Sequence, residues 1–119
     1  MATRSFIAHT NGRTGFNAIY CHWDGYPSHH LPILREEYST ARKVQNLLKL
    51  GDLSCLKTDK DWQRQQLPEE RPLSYAERGE NCPSRYYDSI EELRQAAKDY
   101  GAEYVYIYMN RYGWSFNEL

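Results

Sequence analysis

The densest run of chemically capable side chains is CHWDGYPSHH, residues 21–30. Cys21, His22, Asp24, His29 and His30 can each ligate a metal, and a thiol beside an imidazole is the raw material of a cysteine nucleophile. Spacing argues against both uses. Zinc needs three or four groups converging tetrahedrally. Neither Cys21–His22 nor His29–His30 supplies the HxH or HxxxH steps that bring ligands together. Neighbours on a strand diverge, so the Cys21 thiol and the His22 imidazole point to opposite faces. Convergence of His22, Asp24 and one later histidine across the turn is the one metal arrangement left open. The other cysteines, Cys55 and Cys82, are distant in sequence and form no CxxC, and an odd total of three makes a poor disulfide framework.

The remaining chemistry is thinner. Asp24, Glu77, Glu80 and the Glu36/Glu37 pair are candidates for general acid–base work, yet most carboxylates in a globular domain are surface charges. NGRTG (11–15) lacks the lysine and the following helix of a phosphate-binding loop. No catalytic residue, metal ligand or cofactor is assigned on this basis.

The elements that must position these groups follow from periodicity. RSFIAHT (4–10) and FNAIYCHW (16–23) are β-like and flank the NGRTG turn, which reads as a hairpin. In the second strand Phe16, Ala18, Tyr20 and His22 share one face. Asn17, Ile19, Cys21 and Trp23 share the other, and Trp23 is expected inward. DGYP ends the strand: Asp24 can hold turn amides, Gly25 permits a sharp turn, and Pro27 cannot continue a ladder. Tyr26, His29 and His30 are then presented at one rim of the sheet. Pro32 fits the first turn of a short helix, and Ser39 or Thr40 caps a second helix from Ala41, with Val44, Leu47 and Leu48 on its apolar side and Gly51 ending it. Residues 52–72 read as a long polar loop pinned by Trp62, and 73–88 as strand-like at first and turn-like later.

SIEELRQAAKDYG (89–101) carries an S-x-x-E capping box, an apolar stripe and a terminal glycine. EYVYIYM (103–109) alternates, with Tyr104, Tyr106 and Tyr108 on one face and Val105, Ile107 and Met109 on the other. The aliphatic face is expected against helices. The tyrosine face is expected either beneath the long loop or exposed to a partner. NRYG turns into a last strand, WSFNEL. The order β-β-α-α-β-α-β-β implies a single α+β domain over 1–119: an antiparallel sheet of about five strands with helices packed on one face.

Composition narrows the partners. The chain has 119 residues, a net charge of -1, and eleven tyrosines against three phenylalanines. Such a balance carries no basic footprint, which disfavours nucleic acid as a direct partner. No stretch has the length and apolarity of a membrane span or a signal peptide, so a cytoplasmic protein with reduced thiols is expected. Tyrosine combines large contact area with a polar tip and is favoured at binding surfaces.

Three stretches, IYCHWDGYPSHH, LLKLGDLSCL and AERGE, preceded by MATRSFIA, resemble a family of small bacteriophage and prophage proteins with a CHWDGYP-type motif. The resemblance covers most of residues 1–80 and transfers no catalytic residue. It implies a phage or mobile-element accessory protein in the bacterial host cytoplasm. Tyrosine excess and the lack of catalytic spacing lead to the expectation of non-enzymatic binding to a host protein, in the manner of a counter-defence, anti-CRISPR-type inhibitor. Tyr26, His29, His30, Tyr104, Tyr106, Tyr108 and the 57–72 loop would form its contact surface. The alternative is a nucleotide-binding sponge or small-ligand protein, with Arg78, His22 and Asp24 converging in a pocket between the turn and the sheet. A metal- or cysteine-dependent enzyme is the third reading. A monomer and a homodimer are both compatible with the pattern.

Overall fold

The computed structural model describes residues 3–10, 15–23, 25–56 and 83–119. Its elements are β1 (Ser5–Thr10), β2 (Phe16–Trp23), α1 (Pro27–Glu37), α2 (Ala41–Lys49), β3 (Leu53–Cys55), β4 (Arg85–Tyr87), α3 (Ile90–Asp99), β5 (Tyr104–Met109) and β6 (Gly113–Glu118). This is the expected α+β class and coarse order, but the third strand position is filled by two short pieces lying where loop (within 52–72) and turn (the end of 73–88) were expected, and the strand-like start of 73–88 lies outside the described residues. The sheet runs β3-β2-β1-β5-β6, and β4 also pairs with β2. It is therefore five strands wide. β4 lies antiparallel to Phe16–Ala18, while β3 lies parallel to the far end of β2, with Cys21 opposite Leu53 and Trp23 opposite Cys55.

The sheet is mixed, which corrects the antiparallel expectation. β1 pairs antiparallel with β2 but parallel with β5, Ser5 standing opposite Tyr104. β2 reaches its parallel neighbour β3 through the two-helix crossover of α1 and α2, the kind of connection parallel strands require. Helices also cover both faces rather than one. Ile7, Ile19, Cys21, Tyr106 and Tyr108 pack with Leu34, Tyr38, Val44, Leu47 and Leu48 of the α1–α2 layer. Phe6, Ala8, Ala18, Val105 and Ile107 pack with Leu93 and Ala97 of α3. The tyrosine face of β5 is thus a core face. A buried tyrosine is tolerated where its hydroxyl finds a partner. Tyr106 donates to the Gly25 carbonyl at 2.6 Å and Tyr108 to that of Ser39 at 3.2 Å.

Local chemistry accounts for the helix ends. The Thr40 hydroxyl accepts from Lys43 N–H, and Gly51 follows α2 at φ 78°. Ser89 Oγ accepts from Glu92 N–H, and the Glu92 carboxylate accepts in return from Asp88 N–H, one residue earlier than in the standard capping box. Pro27, not Pro32, occupies the first turn of α1, and Pro32 lies inside that helix. The outer edge of β2 is closed between its two short partners by a side chain. Tyr20 N–H donates to Asp52 Oδ1 at 2.8 Å, and Arg85 holds the same carboxylate through both terminal nitrogens. Asp52 therefore supplies the ladder bond that neither β3 nor β4 reaches. Burial disfavours the Arg85 charge, but its hydrogen bond and charge interaction with Asp52 prevail and hold it above the usual guanidinium range.

Candidate functional site

The CHWDGYPSHH segment sits where β2 ends and α1 begins. Cys21 is buried in the α1–α2 layer, whereas His22 lies on the other face, its Nδ1 2.6 Å from the Tyr20 hydroxyl. The expected divergence of thiol and imidazole holds. Gly25 N–H donates to Thr3 O at 2.8 Å, and a Cβ at Gly25 would stand 2.7 Å from both that oxygen and Ser5 Oγ. Only glycine fits so close an approach. Together with the Tyr106 hydroxyl bond, these contacts clamp the turn from beneath. Asp24 and Arg78 lie outside the described residues, as do Glu77, Glu80, Trp62, Cys82 and the 57–72 loop.

Two expectations at this end are corrected. Trp23 is not inward: it is 48% exposed, with its ring 4.8 Å from that of His22. It shares the face of Ile19 and Cys21, but the buried cluster on that face includes Cys21 and stops short of it. His30 is not at the rim: it is fully buried, its ring centroid 5.0 Å from that of Tyr106 and its Nε2 3.1 Å from Ser5 Oγ. Helical periodicity turns His30 and Leu34 toward the sheet. Burial, with the His29 charge second, lowers the His30 pKa to about 3, so the imidazole is neutral. A serine hydroxyl on an imidazole is the start of a nucleophilic dyad. Here His30 Nδ1 has no orienting partner and both residues are sealed from solvent, which makes the pair a packing contact. Tyr26 remains exposed at 38%, and His29 is half-buried with Nε2 3.3 Å from the Leu56 carbonyl. Tyr104 is half-buried, while Tyr106 and Tyr108 are covered by α1 and α2, so the tyrosine row cannot serve as an exposed contact surface.

Among the described residues, a concavity lies at the opposite end of the sheet. A cleft of about 440 Å³ opens beside the carboxyl ends of the parallel pair β1 and β5, on the α1–α2 face. His9 and Thr10 come from the end of β1, and Asn110 follows β5. Gln45, Leu48 and Lys49, spaced to share one side of α2, line it as well, and Asn17, Ser84 and Tyr86 complete the described lining. His9 Nε2 lies 2.9 Å from Asn110 Oδ1, and its ring stacks on Tyr108 at 6.1 Å. This contact fixes the imidazole between two strand ends. The Tyr86 hydroxyl accepts from Gly15 N–H at 3.1 Å, which holds that exposed ring at the rim. A Cβ at Gly15 would collide with the Tyr87 carbonyl oxygen.

The lining is chemically one-sided. Within the described lining Lys49 is the single formal charge, side-chain amides come from Asn17, Gln45 and Asn110, hydroxyls come from Thr10, Ser84 and Tyr86, and no carboxylate is present. Such a cleft offers hydrogen bonds to a polar ligand and one ammonium to an anionic group. No group of three or more metal-competent side chains gathers among the described residues. Periodicity missed this site because its residues are strand-end and helix-end positions scattered from 9 to 110. The one available signal was His9, a polar interruption of the apolar run FIAHT. No helix among the described residues is long and apolar enough to cross a membrane. No protein-family model, curated protein or solved structure matches the chain.

Proposed function

We propose that the protein is a non-enzymatic binder of a small polar ligand of nucleotide class with one anionic group, taken up in the cleft at the carboxyl ends of β1 and β5. The observation that carries this reading is the described lining itself, which holds one ammonium, one strand-anchored imidazole and three amides and no carboxylate. Its volume lies within the range of small-molecule sites, and carboxyl ends of parallel strands are a recurrent place for them. Lys49 meets the anionic group, the amides read donor and acceptor edges, and Tyr86 offers a ring at the rim. In a phage or prophage accessory protein acting in a bacterial cytoplasm, such binding withdraws a nucleotide signal from the host. The test is a thermal-shift panel of linear and cyclic nucleotides with the matching nucleosides as uncharged controls. A nucleotide at a hundred times its Kd should stabilise the fold by about 2.7 kcal/mol. Lys49→Glu should weaken that binding by at least about tenfold, or about 1.4 kcal/mol. No shift with any nucleotide, or equal binding by the variant, would refute the proposal.

A second reading rests on the other end of the sheet. Trp23 and Tyr26 are large exposed aromatics beside His22 and His29. Aromatic groups of this kind anchor protein interfaces. They support the binding of a host protein, including counter-defence inhibition of the anti-CRISPR type. Pull-down from host lysate with wild type and Trp23→Ala tests it, and recovery of the same proteins by both would count against it.

A further inference from the structure

The strand β6 ends the described sheet with an unpaired side. Which of its backbone groups face outward follows from the bonds on its inner side. Leu119 N–H donates to Glu103 O, while Asn110 N–H donates across the other side of β5 to Thr10 O. Alternation then turns the N–H and C=O of Trp114, Phe116 and Glu118 away from β5. Exposed edges are normally blunted by proline, lysine or a bulge. GWSFNE has neither proline nor lysine, and its register with β5 is continuous from Gly113 to Glu118. Phe116 stands 42% exposed on this edge, its ring 6.0 Å from Tyr106 and 6.3 Å from Tyr104.

We propose that β6 pairs with β6 of a second copy of this chain, antiparallel across a two-fold axis at Phe116, which joins the two sheets into one. The sequence favours this occupant because the strand is complementary to itself in that register. With Phe116 opposite its own counterpart, Trp114 falls opposite the partner's Glu118, and all three outward-facing residues bond, giving about six backbone hydrogen bonds. Centring the axis one residue either way leaves about four. The two Glu118 carboxylates stand about four residues apart along the strands, roughly 14 Å, so no like charges oppose. On the reverse face Ser115 meets Asn117, a polar pair that can hydrogen-bond. The two Phe116 side chains meet on the axis, beside the aromatic shelf of Tyr104 and Tyr106. The interface is isologous and closes as a dimer, leaving no edge for further growth on this side.

The test uses the full chain. Sedimentation across a wide concentration range should show a monomer–dimer equilibrium, and Phe116→Lys, which sets two ammonium groups on the axis, should weaken it by at least about tenfold. Phe116→Cys gives an independent readout. Directly opposed residues in a hydrogen-bonded pair have Cα atoms about 5.5 Å apart, within the span of a disulfide. This variant should therefore form a covalent dimer on mild oxidation. Wild type and Tyr112→Cys, whose thiol lies at the hairpin tip, should not. A monomer at every concentration, a dimer that withstands Phe116→Lys, or a dimer that fails to crosslink through position 116 would overturn the proposal.

Discussion

Lowering the pH from 7 to 5 probes the burial of His30. The imidazole has no exposed surface, sits against Tyr106 and Ser5, and leaves Nδ1 without a partner, so a proton there would be a buried, poorly solvated charge. Its pKa falls from the ordinary 6.5 to about 3. Between those values the unfolded chain binds a proton that the native state refuses, so stability is complete above pH 6.5 and declines as the pH falls toward 3. At pH 5 the loss amounts to about 2 kcal/mol, a sizeable part of the 5–15 kcal/mol typical of a whole domain. For a chain of this length that lowers Tm by about 6–10 °C. The assay is thermal unfolding at pH 7 and 5 for wild type and for His30→Gln, which keeps a hydrogen-bonding side chain and cannot take up the charge. The variant's own stability is immaterial; the difference between its two pH values is what matters. Wild type should lose about 2 kcal/mol more on acidification than His30→Gln. An equal loss in the two proteins, or a His30 ring resonance that titrates near 6.5 by NMR in the folded state, would refute the reasoning.

Asp52→Ala should cost about 2–3 kcal/mol, because it strands Tyr20 N–H and removes the carboxylate that balances the part-buried Arg85 charge; urea denaturation measures it, and a loss under 0.5 kcal/mol would contradict the role given to that carboxylate. Arg111 adopts φ 83° in the β5–β6 turn, a conformation that costs a side chain and suits glycine, so Arg111→Gly should raise the unfolding free energy by about 0.5–1 kcal/mol with an unchanged denaturant slope.

Local chemistry was legible where it acts within a few residues. The caps at Thr40 and Ser89, the glycine stops at Gly51 and Gly101, the β1–β2 hairpin and the alternation of β5 all follow from side-chain type and spacing. Alternation also separated Cys21 from His22 correctly. It could not say which face of β5 meets helices, because tyrosine serves as a core residue once its hydroxyl is satisfied, as Tyr106 shows with Gly25. The parallel pairing of β1 with β5 joins segments almost a hundred residues apart and leaves no periodic trace in either. Two strands of three residues, β3 and β4, are too short to generate a pattern, and β3 begins one residue past Asp52. The cleft was illegible for the same reason. His9, Lys49 and Asn110 each look like ordinary polar residues until the sheet order brings them together. At the turn, sequence pointed to Gly25 for a sharp bend, whereas the close approach of Thr3 and Ser5 is what requires glycine there, and it misplaced Trp23 and His30, since exposure depends on where the helical cover stops.

The most direct test of the ligand-binding account is an amide and side-chain NMR titration of the full chain with the nucleotide that gives the largest thermal shift. The account predicts perturbations concentrated at His9, Thr10, Asn17, Gln45, Lys49 and Asn110, with the turn around Trp23 and Tyr26 unmoved. Perturbations confined to Trp23, Tyr26 and His29, with the cleft silent, would contradict it.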